Sequence, residues 1–533
     1  MDLLLVLHAH LPWVKDATYP GSIEERWLFE ALWESYLPLL GVLDRAATGG
    51  LRDVLTLSLS PTLLAMLGDA RLQGSFLDHL DALEDVARHA AHGESPERVR
   101  AVAHHLARIR RSRARYLDAD RDVAGAFGAH HRRGTIELIT TAATHALLPA
   151  QASPAHVRAQ IAAGLAALER ACGVTPAGMW LPECAYDPRL DAVLVELAVG
   201  FTVLDAHGLS HGIPCSPLGS SAPIVSPSGL AIFPRDTATA RRVWSRREGY
   251  PGDPAYREFH RDVASELDDD ALGKLAPPTA MRTPVGIRPY RVTGPGDHKE
   301  PYDPSAASAR AGVHALDFVS VVEATLSSAP RVAEAEPLLV AAYDAELFGH
   351  WWWEGPEFIE RVIHAASARP SLRLATPSSR LASCPFAVAS QPAASTWGEG
   401  GYFNVWASAD TGPMLREVHR VERAVQAAFA TCEGIDRRAP STSLRLAARD
   451  GAARELMLAA ASDWAFLVRT GTNVDYARRR ATEHARLALD LCRIARCDTP
   501  RDGDRRRVDR ALADGPPEAL ASRDILEWSW ASR

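Results

Sequence analysis

Nothing in this chain points to stapling by cysteine. Its seven cysteines (Cys172, Cys184, Cys215, Cys384, Cys432, Cys492, Cys497) are odd in number and scattered. No two have CxxC spacing, which argues against a zinc knuckle or a disulfide framework. Reduced thiols in a cytoplasmic protein fit that usage. No window approaches the roughly 20 apolar residues of a membrane span. The apolar run near the start is too short for a signal peptide, and Asp2 precedes it where a basic region would be needed. Positive charge is not in excess: 59 basic residues stand against 66 acidic ones, a net charge of −7. That gives no general pull toward nucleic acid. There is no fixed-period repeat.

What is present suits a large enzyme. A length of 533 residues exceeds one compact domain, and 47% hydrophobic with 23% charged residues is the balance of a globular catalyst. Short apolar runs alternate with longer helical patterns. Strands are predicted near Leu3–Leu7, Val54–Leu59, Ile136–Thr140, Gly178–Leu181, Phe201–Leu204, Leu230–Phe233 and Leu338–Ala342, with an eighth run at Leu372–Ala375. Runs this apolar suit strands buried on both faces. Helical stretches such as Glu97–Tyr116 and Ala155–Ala171 lie between them, so the pattern predicts an α/β barrel or a doubly wound sheet. Residues 208–279 break the rhythm and are read as an insertion over the mouth of the site, with the sixth strand inside it. Strand signals fade after residue 395. Residues 396–533 are predicted to form a C-terminal helical domain, with Asp498–Arg510 as a solvated linker.

Polar groups collect after each strand. The first ends on His8 and His10, the second on Ser58 and Ser60, and the third leads to Thr144 and His145. The fourth ends on Glu183, the fifth on Asp205 and His207, the sixth on Asp236, and the seventh on Asp344 and Glu346. Barrel enzymes build their sites this way, because loops at the carboxyl ends of parallel strands converge on one mouth.

His8 and His10, two apart on a strand, share a face. Such a pair either binds a metal, hydrogen-bonds a polar ligand, or is a buried pair satisfied by its neighbours. In GMWLPECAY (Gly178–Tyr186), Glu183 is either catalytic or a paired structural carboxylate. AAYDAELFGHWWWEGP (Ala341–Pro356) sets Asp344 before Trp351, Trp352 and Trp353. Part of that aromatic mass belongs to a core, and a face left exposed is what a sugar ring stacks on. STWGEGGYFNVW (Ser395–Trp406) reads as a flexible aromatic loop, and no Gly-Lys-Ser/Thr follows to make it a phosphate loop. Asp463 and Trp464 lie in the helical region, as ligand contacts or as interdomain packing. Two carboxylates on different strand ends, among aromatics and histidines, suit glycoside chemistry.

HAHLP, THALLP, WLPECAY, YDAELFGHWWWEGP and STWGEGGYFNVW, in this order, resemble the signature regions of glycoside hydrolase family 57. They are most similar to those of its 1,4-α-glucan branching enzymes. VWSRREGYPGDPAYREF (Val243–Phe259), GPGDHKEPYD (Gly294–Asp303) and ASDWAFLVRTGT (Ala461–Thr472) extend the resemblance over nearly the whole chain. The resemblance implies an incomplete (β/α)7 barrel with an inserted subdomain and a C-terminal all-helical domain. It implies a retaining double displacement on α-glucan without cofactor or metal. Glu183 would be the nucleophile and Asp344 the general acid/base. His8, His10 and His145 would line the donor subsite, and Trp397, Trp406, Asp463 and Trp464 would border the cleft. Trp180, Asp205, His207 and Trp351 are further candidates for substrate contact. Branching members carry a mobile loop with a tyrosine near the site. The corresponding stretch here, IPCSPLGSSAPIV (Ile213–Val225), has none. The alternatives left open are α-1,4-glucan hydrolysis, 4-α-glucan transfer, a metal-dependent carbohydrate deacetylase using His8 and His10, and a non-catalytic glucan-binding protein.

Overall fold

The computed structural model describes residues 1–16, 22–245, 248–276, 282–294, 296–332, 336–385, 387–435, 440–514 and 520–531. Arg246 and Arg247 of the VWSRREG stretch, Pro295 of GPGDHKEPYD and residues 277–279 of the predicted insertion lie outside the described residues.

Each of the seven predicted runs carries a strand: β1 (Asp2–Ala9), β2 (Leu55–Leu59), β3 (Ile136–Thr140), β4 (Gly178–Met179), β5 (Phe201–Asp205), β6 (Ala231–Arg235) and β7 (Leu338–Asp344). All neighbours are parallel, and β7 lies beside β1. The ring also closes between β6 and β7, through the bridge Arg235–Val340 and the Asp236 N–H donating to the Val340 carbonyl at 2.8 Å. The barrel is therefore closed, where the resemblance implied an incomplete one. β4 is shorter than the run Gly178–Leu181, because the chain turns sharply at Pro182–Cys184. The eighth run carries a two-residue strand, Arg373–Leu374, beside β1.

The alternation of side chains along the strands decides what reaches the mouth. Leu3, Leu5 and Leu7 of β1 pack outward in the main core. Leu4 and Val6 point into the barrel with Ile139, Phe201, Val203, Phe233, Val340 and Ala342. His8 and His10 continue the inward series. Register places His8 beside Ser58 of β2 on one side and Asp344 of β7 on the other.

Surrounding helices start on a recurring pair, a capping side chain followed by proline. Ser60-Pro61, Ser95-Pro96, Ser153-Pro154, Asp303-Pro304 and Thr376-Pro377 each accept a backbone N–H of the first turn. Proline loses nothing at that position, and each such cap contributes about 1 kcal/mol. From Gly412 onward the described regular elements are helices: Gly412–Thr431, Pro440–Ala459, Ser462–Thr470, Val474–Ala495, Asp502–Asp514 and Arg523–Trp530. The predicted linker Asp498–Arg510 thus contains most of a helix. Val508 and Ala511, three residues apart, are buried and anchor it, and Asp504 accepts from Arg493 at 2.8 Å. Among the described residues, no helix is long and apolar enough to cross a membrane.

Candidate active site

A cavity of about 1170 Å³ opens at the carboxyl ends of the strands. His8, His10, His145, Glu183, Asp344, Trp351, Trp397, Trp406 and Asp463 line it. They come from six separate stretches of chain, and the strand order alone brings the first five residues together.

Glu183 follows β4 in the tight turn Pro182–Cys184. Its backbone is left-handed (φ 60°, ψ 22°), a region that strains any residue with a Cβ. His145 is left-handed as well (φ 56°). Two such residues facing one cavity mark positions where the surrounding fold outweighs local preference. The Glu183 carboxylate accepts from Trp397 Nε1 and from Ser462 Oγ, both at 2.8 Å. The Trp397 N–H donates to the Glu183 carbonyl at 3.0 Å, so the aromatic loop is fastened to this turn twice. Burial pushes the Glu183 carboxyl above its ordinary pKa, and the two donors limit that rise.

Asp344 ends β7 in different surroundings. Among the described residues, no side chain donates a hydrogen bond to its carboxyl. Burial, then the charges of Glu346 and Glu183, hold it well above the carboxylate range. One carboxyl steadied by donors and a second biased toward protonation by burial and by its neighbours is the division that acid–base chemistry needs.

The histidines form a stack. The rings of His10 and His145 lie 4.0 Å apart, and His8 rests between His145 (5.0 Å) and Trp180 (5.2 Å). His8 Nδ1 meets Ser58 Oγ at 3.1 Å, His8 Nε2 meets His145 Nε2 at 3.0 Å, and His145 Nδ1 meets Ser462 Oγ at 2.9 Å. Burial, then the charge of His10, keeps His8 and His145 well below the usual histidine pKa. Burial also lowers His10, but Asp463 Oδ1 and Oδ2 at 3.1 Å from Nε2, helped by Glu346 and Glu183, raise it overall. The shifts thus run in opposite directions, favouring charge on His10 over its two stacked neighbours.

Ligand atoms of His10, His145 and Asp463 lie within 4.8 Å of one another, which raises the metal reading again. Ring geometry opposes it. The two imidazoles are stacked with planes only 20° apart, whereas a metal must lie near the plane of each ring that ligates it.

Four predicted contacts do not line the cavity. Trp180 is fully buried beneath His8 and Trp397. Trp464 is 1% exposed, and its Nε1 donates to the Leu458 carbonyl at 2.7 Å. Asp205 accepts from Arg235 Nη1 at 3.0 Å, which leaves the arginine on the cavity wall and the aspartate behind it. His207 is held between Asp205 and the Gly401 carbonyl (2.7 Å), bracing the aromatic loop from outside. Residues 213–225 do not line the cavity either. They descend to the amino-terminal end of the barrel, where Leu338 N–H donates to the Ser221 carbonyl and Ile224–Val225 pairs antiparallel with β6. The cover on this side comes from helix Thr237–Trp244 and from Phe259 and His260.

Three contributors went unassigned in the sequence reading. Ser462 bonds both Glu183 and His145, and it sits beside the flagged Asp463. Glu346, noted only as a strand-end group, accepts from the Tyr36 hydroxyl and from the His10 N–H at 3.1 Å. Phe259 closes the stretch Val243–Phe259 and faces the cavity.

The fold and this cavity define a closed (β/α)7 barrel with a carboxylate-centred site at the carboxyl ends of its strands. The profile of glycosyl hydrolase family 57 matches residues 4–275, and that of the 1,4-alpha-glucan branching enzyme C-terminal region matches residues 419–509. The chain is 31% identical to a 1,4-alpha-glucan branching enzyme of Thermococcus kodakarensis over 536 positions, covering 93% of this chain and 74% of that one. The alpha-amylase AmyC from Thermotoga maritima superposes with a TM-score of 0.88 at 31% identity over 99% of both chains. A family 57 branching enzyme from Pyrococcus horikoshii superposes with a TM-score of 0.85 at 27% identity, covering 100% of this chain and 97% of that one. The chain belongs to glycosyl hydrolase family 57.

Proposed function

We propose that this protein is a retaining 1,4-α-glucan branching enzyme, with Glu183 as nucleophile and Asp344 as general acid/base. The observation that carries the roles is the contrast between the two carboxyls. Glu183 is steadied by two donors, whereas Asp344 has none among the described residues and is biased by burial, then by Glu346 and Glu183, toward its protonated form. Glu183 attacks the anomeric carbon of an α-1,4-linked glucose while Asp344 gives its proton to the departing 4-oxygen. The result is a glycosyl ester on Glu183. Asp344, now a carboxylate, takes the proton of an incoming 6-hydroxyl as its oxygen displaces Glu183, which forms an α-1,6 branch with the anomeric configuration retained. His8, His10, His145 and Asp463 hold the glucose at the cleavage point, and Trp397, Trp406 and Trp351 bound the glucan. On this reading residues 1–395 carry the chemistry, with helix Thr237–Trp244 and residues 259–260 of the stretch 208–279 at the mouth, and 396–533 close the cleft through Ser462 and Asp463. The partner is an α-glucan and not nucleic acid or membrane. The free cysteines fit a cytoplasmic location.

A second reading has an observation of its own. Residues 213–225 hold no tyrosine and stay off the cavity, and an alpha-amylase is among the similar structures. Hydrolysis differs only in that water takes the place of the 6-hydroxyl. Reducing ends on amylose, measured before and after isoamylase, separate the two. New ends released only by isoamylase are expected for branching. Ends that rise at once, with none added by isoamylase, would make the protein a hydrolase.

Glu346 should tune the acid. Its charge helps to keep Asp344 protonated, so removing that charge lowers the Asp344 pKa. Glu346→Gln is therefore expected to move the alkaline limb of the kcat/KM profile toward lower pH. A limb that stays in place or moves upward would reject this coupling.

A further inference from the structure

Of three consecutive tryptophans, two are spent on the core. Trp352 and Trp353 are 2% and 1% exposed, whereas Trp351 is 55% exposed and faces the cavity. Its indole is not loose. It stacks on Phe259 with centroids 4.6 Å apart and planes 21° apart. The buried Arg288 guanidinium lies 4.5 Å from the Phe259 ring, and His350 meets both rings edge-on. His350 is fixed in turn by Glu34 at 2.6 Å. The result is a braced flat aromatic layer with one face left to the cavity. Leaving such a face uncovered forgoes apolar burial, which a pyranose ring can supply through its C–H face.

Its position indicates which part of a glucan it meets. Trp351 belongs to the turn that follows Asp344, and its N–H donates to the Glu346 carbonyl at 3.3 Å. The proton from Asp344 goes to the oxygen of the departing segment, so the Asp344 side of the cavity is the leaving side. The loop 395–406 and the start of helix Ser462–Thr470 build the Glu183 side instead, through Trp397 and Ser462. We propose that Trp351, backed by Phe259, is the stacking platform for the α-glucan segment beyond the cleavage point. That segment is the leaving chain in the first step and the acceptor chain in the second. The assignment rests on the carboxylate roles given above and adds the residue that selects an acceptor sugar over water.

The test compares two donors on the full-length protein. Maltoheptaose leaves a sugar on the platform, whereas an α-maltooligosyl fluoride leaves only fluoride. Trp351→Ala is expected to lower the ratio of kcat/KM on maltoheptaose to that on the fluoride by about tenfold, with Trp351→Phe restoring most of it. The fraction of glycosyl groups passed from the fluoride to added maltooligosaccharide should fall in parallel. An unchanged ratio, or equal losses on both donors, would overturn the platform, since a merely structural tryptophan would impair both. The outcome does not depend on whether the wild type branches or hydrolyses, because both reactions share the leaving subsite. Isoamylase digestion of wild-type product judges branching separately. Wild-type protein inert toward both donors would overturn the function and the platform together.

Discussion

Glu183→Ala protein is expected to fold normally and to act on amylose at least about 10⁴-fold more slowly than wild type, since no second group can take the place of a covalent nucleophile. The carboxylate is buried at real electrostatic expense, and its pKa is pushed up for that reason. Removing it therefore removes a desolvated charge rather than a support of the fold. What alanine leaves behind is two donors, Trp397 Nε1 and Ser462 Oγ, next to a cavity that water can enter. Glu183→Gln keeps an acceptor for one of them and the same left-handed backbone. It serves as the control for local collapse, and both variants should melt within a few degrees of wild type. Azide added to Glu183→Ala with an α-glycosyl fluoride should yield the β-azide. A small anion would then occupy the vacated position and attack once, with inversion. Wild-type turnover by the alanine variant would remove Glu183 from the chemistry. An α-azide would place the nucleophile elsewhere.

The reach of local pattern differs between fold and site. The barrel is legible because each strand is apolar on both faces and ends in polar residues. His8, His10, His145, Glu183 and Asp344 follow from that rule directly. The same rule over-reads at β5, where Asp205 and His207 have the right positions but are satisfied by Arg235 and Gly401. Trp180 and Trp464 fail for a related reason. An indole next to a functional residue is equally suited to the layer beneath it, and only packing decides between the two. Closure of the ring rests on one bridged pair between β6 and β7, too little for a run of residues to announce. The contacts that matter most to the chemistry are the least visible. Ser462 meets Glu183 across 279 positions, and Tyr36 meets Glu346 across 310. The departure of residues 213–225 from the cavity likewise depends on where Ser221 and Ile224 find partners, which their own stretch does not reveal.

Asp344→Asn should lower activity on amylose by about 10²–10⁴-fold, the range for loss of a general acid, while leaving the first step intact for donors that need no proton. With an α-glycosyl fluoride, departure of fluoride should stay fast and the ester on Glu183 should accumulate, because no base remains to activate the second acceptor. A burst of fluoride followed by slow turnover is the expected signature. Azide, which needs no deprotonation, should relieve the second step and give an α-azide. That is the retained configuration, opposite to the product of Glu183→Ala. The pair of outcomes assigns the two carboxyls against each other. The physical ground is their surroundings: Glu183 holds two donors, while Asp344 faces Glu346 and Glu183 with none among the described residues. Asparagine also removes a carboxyl whose ionisation burial and its neighbours disfavour, so no stabilising charge is lost and the fold should tolerate it. An Asp344→Asn enzyme that loses the fluoride and amylose reactions equally, with no burst and no response to azide, would exclude Asp344 as the acid/base. Glu346, two residues on and tied to Tyr36 and His10, would then be the carboxyl to test in its place.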